Sequence, residues 1–282
     1  MSNALETVVL VDGEARVVVA PARGGMVTRF EVAGRPVLFL DEGSLLDLSR
    51  NVRGGNPVLF PSPGPLAGDR FERAGNSGSM KQHGFARQER WSVIAQTASE
   101  VTLELLANDA TRPRYPWDFA LRLRYALAAG ALTVATTVEN RSATELPFAL
   151  GFHPYFHVPD ADKARCRITT DATRGFDNVT KAAVEVISPI DLTPKEVDLH
   201  LANHTPHQAT LERACGDRIV VAGDPAFGRW VVWTLAGKDF VCLEPWTAAA
   251  DALNTGEDLL AVSPGASRTL TMSIAHRAGS PG

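Results

Sequence analysis

The sequence predicts an all-β protein built as one large antiparallel sandwich. Two observations carry this: short runs of period-two alternation recur along the chain, and candidate helices are few. A third is that most of the 18 prolines and 23 glycines fall between these runs, where loops require them. With 282 residues and 45% apolar composition, the chain can bury a substantial core. No linker, low-complexity tract or repeat divides it, so residues 1–282 are expected to form a single domain.

The elements follow in order. "TVVLVDGEARVVVAP" sets Asp12-Gly13 between two valine-rich runs, a strong hairpin signal. "EVTLELLAND" is a further strand. "FALRLRYALAAGALTVATTVEN" alternates Leu121, Leu123, Tyr125 and Leu127 against Arg122 and Arg124, then turns at Ala129-Gly130. One face is apolar and the other wet, the signature of a half-buried antiparallel sheet. "QATLERACG" is the best candidate for a short helix. "RWVVWTL", "DFVCLEPW" and "SRTLTMSIAHR" complete the strand set. The stretch from Asn51 to Arg87 reads as a long irregular segment stiffened by Pro61, Pro63 and Pro65. Loops of that length in a compact domain tend to be functional.

Composition excludes several functions. Twenty-eight Lys and Arg against 32 Asp and Glu give a net charge of −4, so no basic stripe exists for nucleic acid. The three cysteines, Cys166, Cys215 and Cys242, are odd in number and widely spaced, which suits a reducing compartment better than a disulfide framework. The start has no basic region before its first apolar run, and no apolar run is long enough to span a membrane. A cytoplasmic location is the expectation. No metal site is expected either. "HPYFH" has HxxxH spacing, but Pro154 and its aromatic neighbours favour an extended chain. Its two histidines would then stand about 13 Å apart. "HLANHTPH" (His200, His204, His207) is looser and interrupted by Pro206. Hydrolase and dinucleotide motifs are missing.

Four separated stretches set polar groups among aromatics: "QHGFAR", "GFHPYF", "VDLHLANH" and "CLEPW". Glu244 lies at a strand end beside Trp246, and His153 lies between Phe152 and Tyr155. Each alone reads more readily as structural, and Arg87 could pair with Glu72 or Glu89. Together, in the order "RGGNPVLFP", "QHGFAR", "GFHPYF" and "EPWTAAADALNTGEDLLAVSPGAS", they resemble the aldose 1-epimerase, or galactose mutarotase-like, superfamily. The likeness covers most of the chain.

That resemblance implies a large twisted antiparallel β-sandwich with few short helices and a sugar lying across an open cleft. It places the catalytic pair on His153 and Glu244. Sugar contacts fall on Gln82, His83, Arg87 and Asp198, with Arg53 at the rim; Trp246 or Phe85 would stack on the sugar. Residues 80 to 91 would form a strand entering the cleft. The implied reaction is interconversion of the α and β anomers of an aldohexose by ring opening and closure, with Glu244 as base and His153 as acid, and no cofactor. The ligand would be a sugar or a sugar phosphate, with no nucleic acid or membrane partner. Arg53 and Arg87 also fit a hexose-6-phosphate mutarotase, since two guanidiniums can grip a dianion. A non-catalytic sugar-binding or sensing protein is the other alternative, because fold does not determine function.

Overall fold

The computed structural model describes residues 5–47 and 49–279. Two eight-stranded antiparallel sheets dominate it. The first runs, in spatial order, through Arg167–Thr169, Gln208–Glu212, Arg218–Gly223, Ser267–Arg277, Ala131–Asn140, Phe119–Ala128, Glu100–Leu106 and Ser92–Gln96. The second runs through Ala182–Glu185, Arg174–Asp177, Glu196–Leu201, Arg229–Leu235, Phe240–Trp246, Gly151–Phe152 and Val58–Leu59, with Tyr155–His157 also paired to Phe240–Trp246. A four-stranded sheet begins with the hairpin Val8–Asp12/Ala15–Ala20, turned at Gly13 as its sequence requires. Helix is limited to short pieces such as Glu42–Leu46 and Ala252–Thr255.

Alternation explains how the layers meet. In Phe119–Ala128, Leu121, Leu123, Tyr125 and Leu127 are buried, and they join Val134, Leu270 and Ile274 in one apolar core. Val232, Val241 and Leu243 of the second sheet belong to the same core, so the two sheets face each other across it. On the outer face Arg122 lies opposite Glu104 and bonds it at 2.8 Å, while Glu139 accepts from it at 2.7 Å. Such half-exposed pairs contribute little each; the inward leucines contribute about 1.5–3 kcal/mol apiece.

Three local expectations differ from what is found. "QATLERACG" is not helical: Gln208–Glu212 is a strand paired on both sides, with Ala209 and Leu211 pointing inward. Its alternation outweighs the helix propensity of Leu and Glu. Residues 80 to 91 are not a strand but a turn ending in the 3-10 segment Ala86–Gln88. His83 and Gly84 have φ of 75° and 67°, which no strand can hold. The segment after Asn51 is less irregular than its prolines suggest, since it contains the hairpin Arg70–Arg73/Asn76–Ser79.

The inward and outward assignments separate in stability. Leu123→Ala should cost about 2–5 kcal/mol by leaving a cavity. Arg124→Ala, on the wet face, should cost under about 0.5 kcal/mol. Chemical denaturation of both variants checks this; equal losses would contradict the layering.

Candidate functional site

The second sheet builds the site through its register. Directly opposed residues in a sheet put their side chains on one face. Asp198 opposes Trp233, Trp233 opposes Cys242, and Cys242 opposes Tyr155. The next row holds His200, Val231 and Glu244. His153 joins that row although it lies in a break in the pairing. Before the break Gly151 opposes Trp246, and after it Tyr155 opposes Cys242. The register is the same on both sides, so His153 falls opposite Glu244. Pro154 has no N–H to close the ladder there; the His153 N–H bonds Pro57 O instead, at 3.1 Å. The outcome is His153 Nδ1 at 3.4 Å from Glu244 Oε1.

Eight of the nine side chains named from the sequence (Arg53, Gln82, His83, Arg87, Asp198, Trp246 and the facing pair) line one cleft of about 830 Å³, and Phe85 does not. The loops supply the rest of its wall. Arg53 is fixed at the rim because its N–H bonds Ser44 Oγ and its carbonyl accepts from Asp41 N. Gly55 follows at φ 64°, where a Cβ would stand 2.3 Å from Val27 O, so the "RGGNP" glycine is required by close approach. Gly84 plays the same part beside His83, with Phe60 O at 2.1 Å from where its Cβ would be.

Burial sets the charges. Glu244 is 2% exposed, and desolvation pushes its carboxyl well above the usual range, against a 3.1 Å hydrogen bond from Trp246 Nε1 to Oε2. Desolvation also pushes the His153 imidazole well below its ordinary range, aided by His83, Arg87 and Arg53. The sequence reading had Glu244 as a ready carboxylate and His153 holding a proton. Burial instead favours the neutral form of each, which amounts to a pair holding one proton between them. His153 Nδ1 makes no hydrogen bond, and its ring stacks on Tyr155 at 4.6 Å and 5°.

His83 is different. Its Nδ1 lies 2.6 Å from Pro63 O, and a carbonyl only accepts, so Nδ1 carries the hydrogen and Nε2 is left as an acceptor. Burial and then Arg87 lower its pKa to about 4, leaving it neutral. The strained φ at a non-glycine residue is the kind that persists where surrounding structure enforces it. Asp198 stays ionised: burial raises its pKa, but hydrogen bonds from His200 and Asn178 outweigh that and hold it below the ordinary value.

Arg87 donates to Gln82 O at 3.0 Å, and Arg53 lies over the Trp233 ring at 5.8 Å. Among the described residues neither pairs with a carboxylate. Of the partners suggested for Arg87, Glu89 pairs with Arg114 instead, and Glu72 forms no ion pair with Arg87 among the described residues. Other cations of the cleft are neutralised, Lys81 by Asp69 and Arg229 by Glu257 and Asp258.

The aromatic surface is not where the sequence suggested. Phe85 is fully buried among Phe60, Tyr115 and Phe119, so it supports the cleft from behind and cannot touch a sugar. Trp246 is 2% exposed and is engaged with Glu244 through its N–H. Trp233, half-buried on the cleft floor beside Asp198 and under Arg53, and the more exposed Phe176 are the aromatic surfaces the cleft still offers. Sequence reasoning missed Trp233, Tyr155, Asn178 and Cys242. Period-two spacing could have found two of them, because Tyr155 follows His153 and Cys242 precedes Glu244 by two residues on an extended chain. Of the other histidines, only His200 lines this cleft; His157 lines a separate cavity and His204 bonds Thr170.

A large antiparallel sandwich is the fold of proteins described as galactose mutarotase-like. One of these, from Lactobacillus casei, is 21% identical and shares this fold at a TM-score of 0.81, over 96% of this chain and 100% of its own. The chain belongs to the aldose 1-epimerase family, whose profile matches residues 6–275. The crystal structure of the Slr1438 protein from Synechocystis sp. PCC 6803 is similar at a TM-score of 0.94 and 36% identity, covering 98% of this chain and 96% of that one. A Salmonella typhimurium protein, named provisionally as a glucose-6-phosphate 1-epimerase, is 27% identical over 191 residues, 64% of this chain and 60% of its own length.

The charge assignment has a direct check. In metal-free buffer, NMR should find His153 neutral at pH 6.5, taking a proton only at lower pH, and infrared spectroscopy should find the Glu244 carboxyl still protonated above pH 4.5. Ordinary titration of both groups would overturn it.

Proposed function

We propose that the whole chain acts as one aldose 1-epimerase domain that interconverts the α and β anomers of an aldohexose. The observation that carries this is the buried imidazole facing a buried carboxyl at 3.4 Å on the floor of a cleft of sugar-binding size.

Anomerisation needs one proton removed from the C1 hydroxyl and one delivered to the ring oxygen. A pair holding one proton suits both demands. With that proton on His153, Glu244 takes the C1 proton as His153 protonates the ring oxygen, and the ring opens to the aldehyde. After rotation about the C1–C2 bond the transfers reverse, and the pair again holds one proton. Burial makes the charged form of each group costly, so each is ready to give up its charge. His83 Nε2 and the Asp198 carboxylate accept from sugar hydroxyls, and Trp233 offers a face to the apolar side of the ring. Gln82 lies exposed at the rim.

A second reading is favoured by one feature. Arg53 and Arg87 line the cleft without carboxylate partners, a pair of donors suited to a phosphate. The substrate is then a hexose 6-phosphate, consistent with the name of the Salmonella relative. A sugar sensor would need no acid–base pair, and burying one costs stability that binding alone does not repay.

Glu244→Gln and His153→Asn should each lower the anomerisation rate by about 10²–10⁴-fold in a polarimetric assay while leaving the melting temperature within a few degrees. The pH–rate profile should be bell-shaped, failing at acid pH as the pair gains a second proton and at alkaline pH as it loses its last. Full activity in Glu244→Gln would refute the assignment.

For the phosphate, rates on glucose, galactose and glucose 6-phosphate should separate the readings. If the phosphate ester is preferred, Arg87→Ala should lower kcat/KM for it by roughly 10–150-fold, the loss of a charged hydrogen bond, and spare the free sugars. No preference in the parent protein dismisses the clamp.

A further inference from the structure

His153, Cys242 and Glu244 form a group whose potential ligand atoms all lie within 4.8 Å of one another, and all three residues are buried. Cys242 has no part in the chemistry above. It is fully buried on the cleft face of strand Phe240–Trp246, one row from Glu244, packed with Tyr155 and Phe240. The other two cysteines are elsewhere, Cys166 and Cys215 both lining a separate cavity.

The geometry points to a binding site for a thiophilic divalent cation, zinc above all, held by His153, Cys242 and Glu244 and blocking the acid–base pair. A ligand is indicated independently of the cluster itself. His153 is 8% exposed, and its Nδ1 is a buried nitrogen with no hydrogen-bond partner, 3.4 Å from Glu244 Oε1. The separations also suit the ion. Two ligands of one tetrahedral zinc, at Zn–N and Zn–O of about 2.0–2.2 Å, stand roughly 3.4 Å apart. Nδ1 and Oε1 already stand 3.4 Å apart. A zinc-bound sulfur would lie roughly 3.6 Å from each of them. The thiol therefore needs to move by little more than an ångström at most, from a separation no greater than 4.8 Å.

The donor set gives the selectivity. One thiolate, one imidazole and one carboxylate favour zinc or cadmium over magnesium and calcium, which prefer oxygen alone. Binding releases the Cys242 thiol proton and the proton shared by His153 and Glu244 to the buffer; no electron changes hands. Trp246 keeps Oε2 engaged and leaves Oε1 for the ion. Three protein ligands leave a fourth position for water. With its proton displaced and both groups coordinated, the pair can neither take nor give a proton. The site is therefore inhibitory.

The test uses the full chain, stripped with a chelator. Equilibrium dialysis should find one tightly bound Zn²⁺ per chain and no Mg²⁺ at the same concentration. Cys242→Ala should weaken zinc binding by at least about tenfold, as should Glu244→Gln. Cd²⁺ on the unmodified chain should produce a thiolate-to-metal ultraviolet band that survives Cys215→Ser. Bound Cd²⁺ without that band, or zinc affinity unchanged in Cys242→Ala, would overturn the site, and the cadmium measurement decides even if Cys242→Ala does not fold. The inhibition rests on the epimerase reading. Zinc should abolish anomerisation, a chelator should restore it, and Cys242→Ala should turn over normally while needing at least tenfold more zinc for the same loss. Turnover unaffected by bound zinc overturns the inhibition; a chain inactive on every sugar defeats the epimerase reading, and dialysis still decides the binding.

Discussion

The site depends on a gap in a ladder. Strand Phe240–Trp246 is paired on one side with Arg229–Leu235 and on the other with two short strands separated by His153 and Pro154. Because the register is preserved across the gap, an imidazole lies over a carboxyl at the one place where the backbone leaves room. A one-residue slip on either side would turn His153 or Glu244 to the opposite face, into the apolar core. That face carries Val241 and Leu243, and burying them there prevents the slip. Core packing and cleft geometry are thus one constraint, imposed by the two faces of a single strand.

The same burial determines the electrostatics. Every residue of strand Phe240–Trp246 is shielded from solvent, including those on the cleft side. Two ionisable groups in such a place resist being charged, and the surrounding cations bear more on the imidazole than on the carboxyl. Asp198, farther out and hydrogen-bonded by Asn178 and His200, keeps its charge. The cleft therefore runs from a dry floor, where charge is costly, to a wet rim that holds it, an ordering that suits the ligand proposed above.

Much of this was legible in the sequence. Strands with clean alternation, such as Phe119–Ala128 and Ala131–Asn140, reported their burial directly, since one face of each meets the core and the other meets water. The motif residues were legible as a set, and they do converge on one cleft. What was not legible depended on long-range context. Gln208–Glu212 became a strand because neighbours lie on both sides. Phe85 sits in the same motif as His83, yet the turn at Gly84 sends the two rings to opposite sides of the wall. The charge states of His153 and Glu244 follow from how deeply they are buried, which no local pattern encodes. Cys242 was visible only as an isolated thiol until pairing brought it beside them.

The bond from His83 to the Pro63 carbonyl has a physiological side. It locks one tautomer of a ring that stays uncharged down to about pH 4. Above that pH its Nε2 remains a hydrogen-bond acceptor of constant strength, while the deeper pair can change its proton count. On the epimerase reading proposed above, an acidified medium would leave ligand retention at this contact intact even where catalysis falters. On that reading the same lock would discriminate among ligands, since a sugar that offers a carbonyl or a bare methylene at that position has no hydrogen to give.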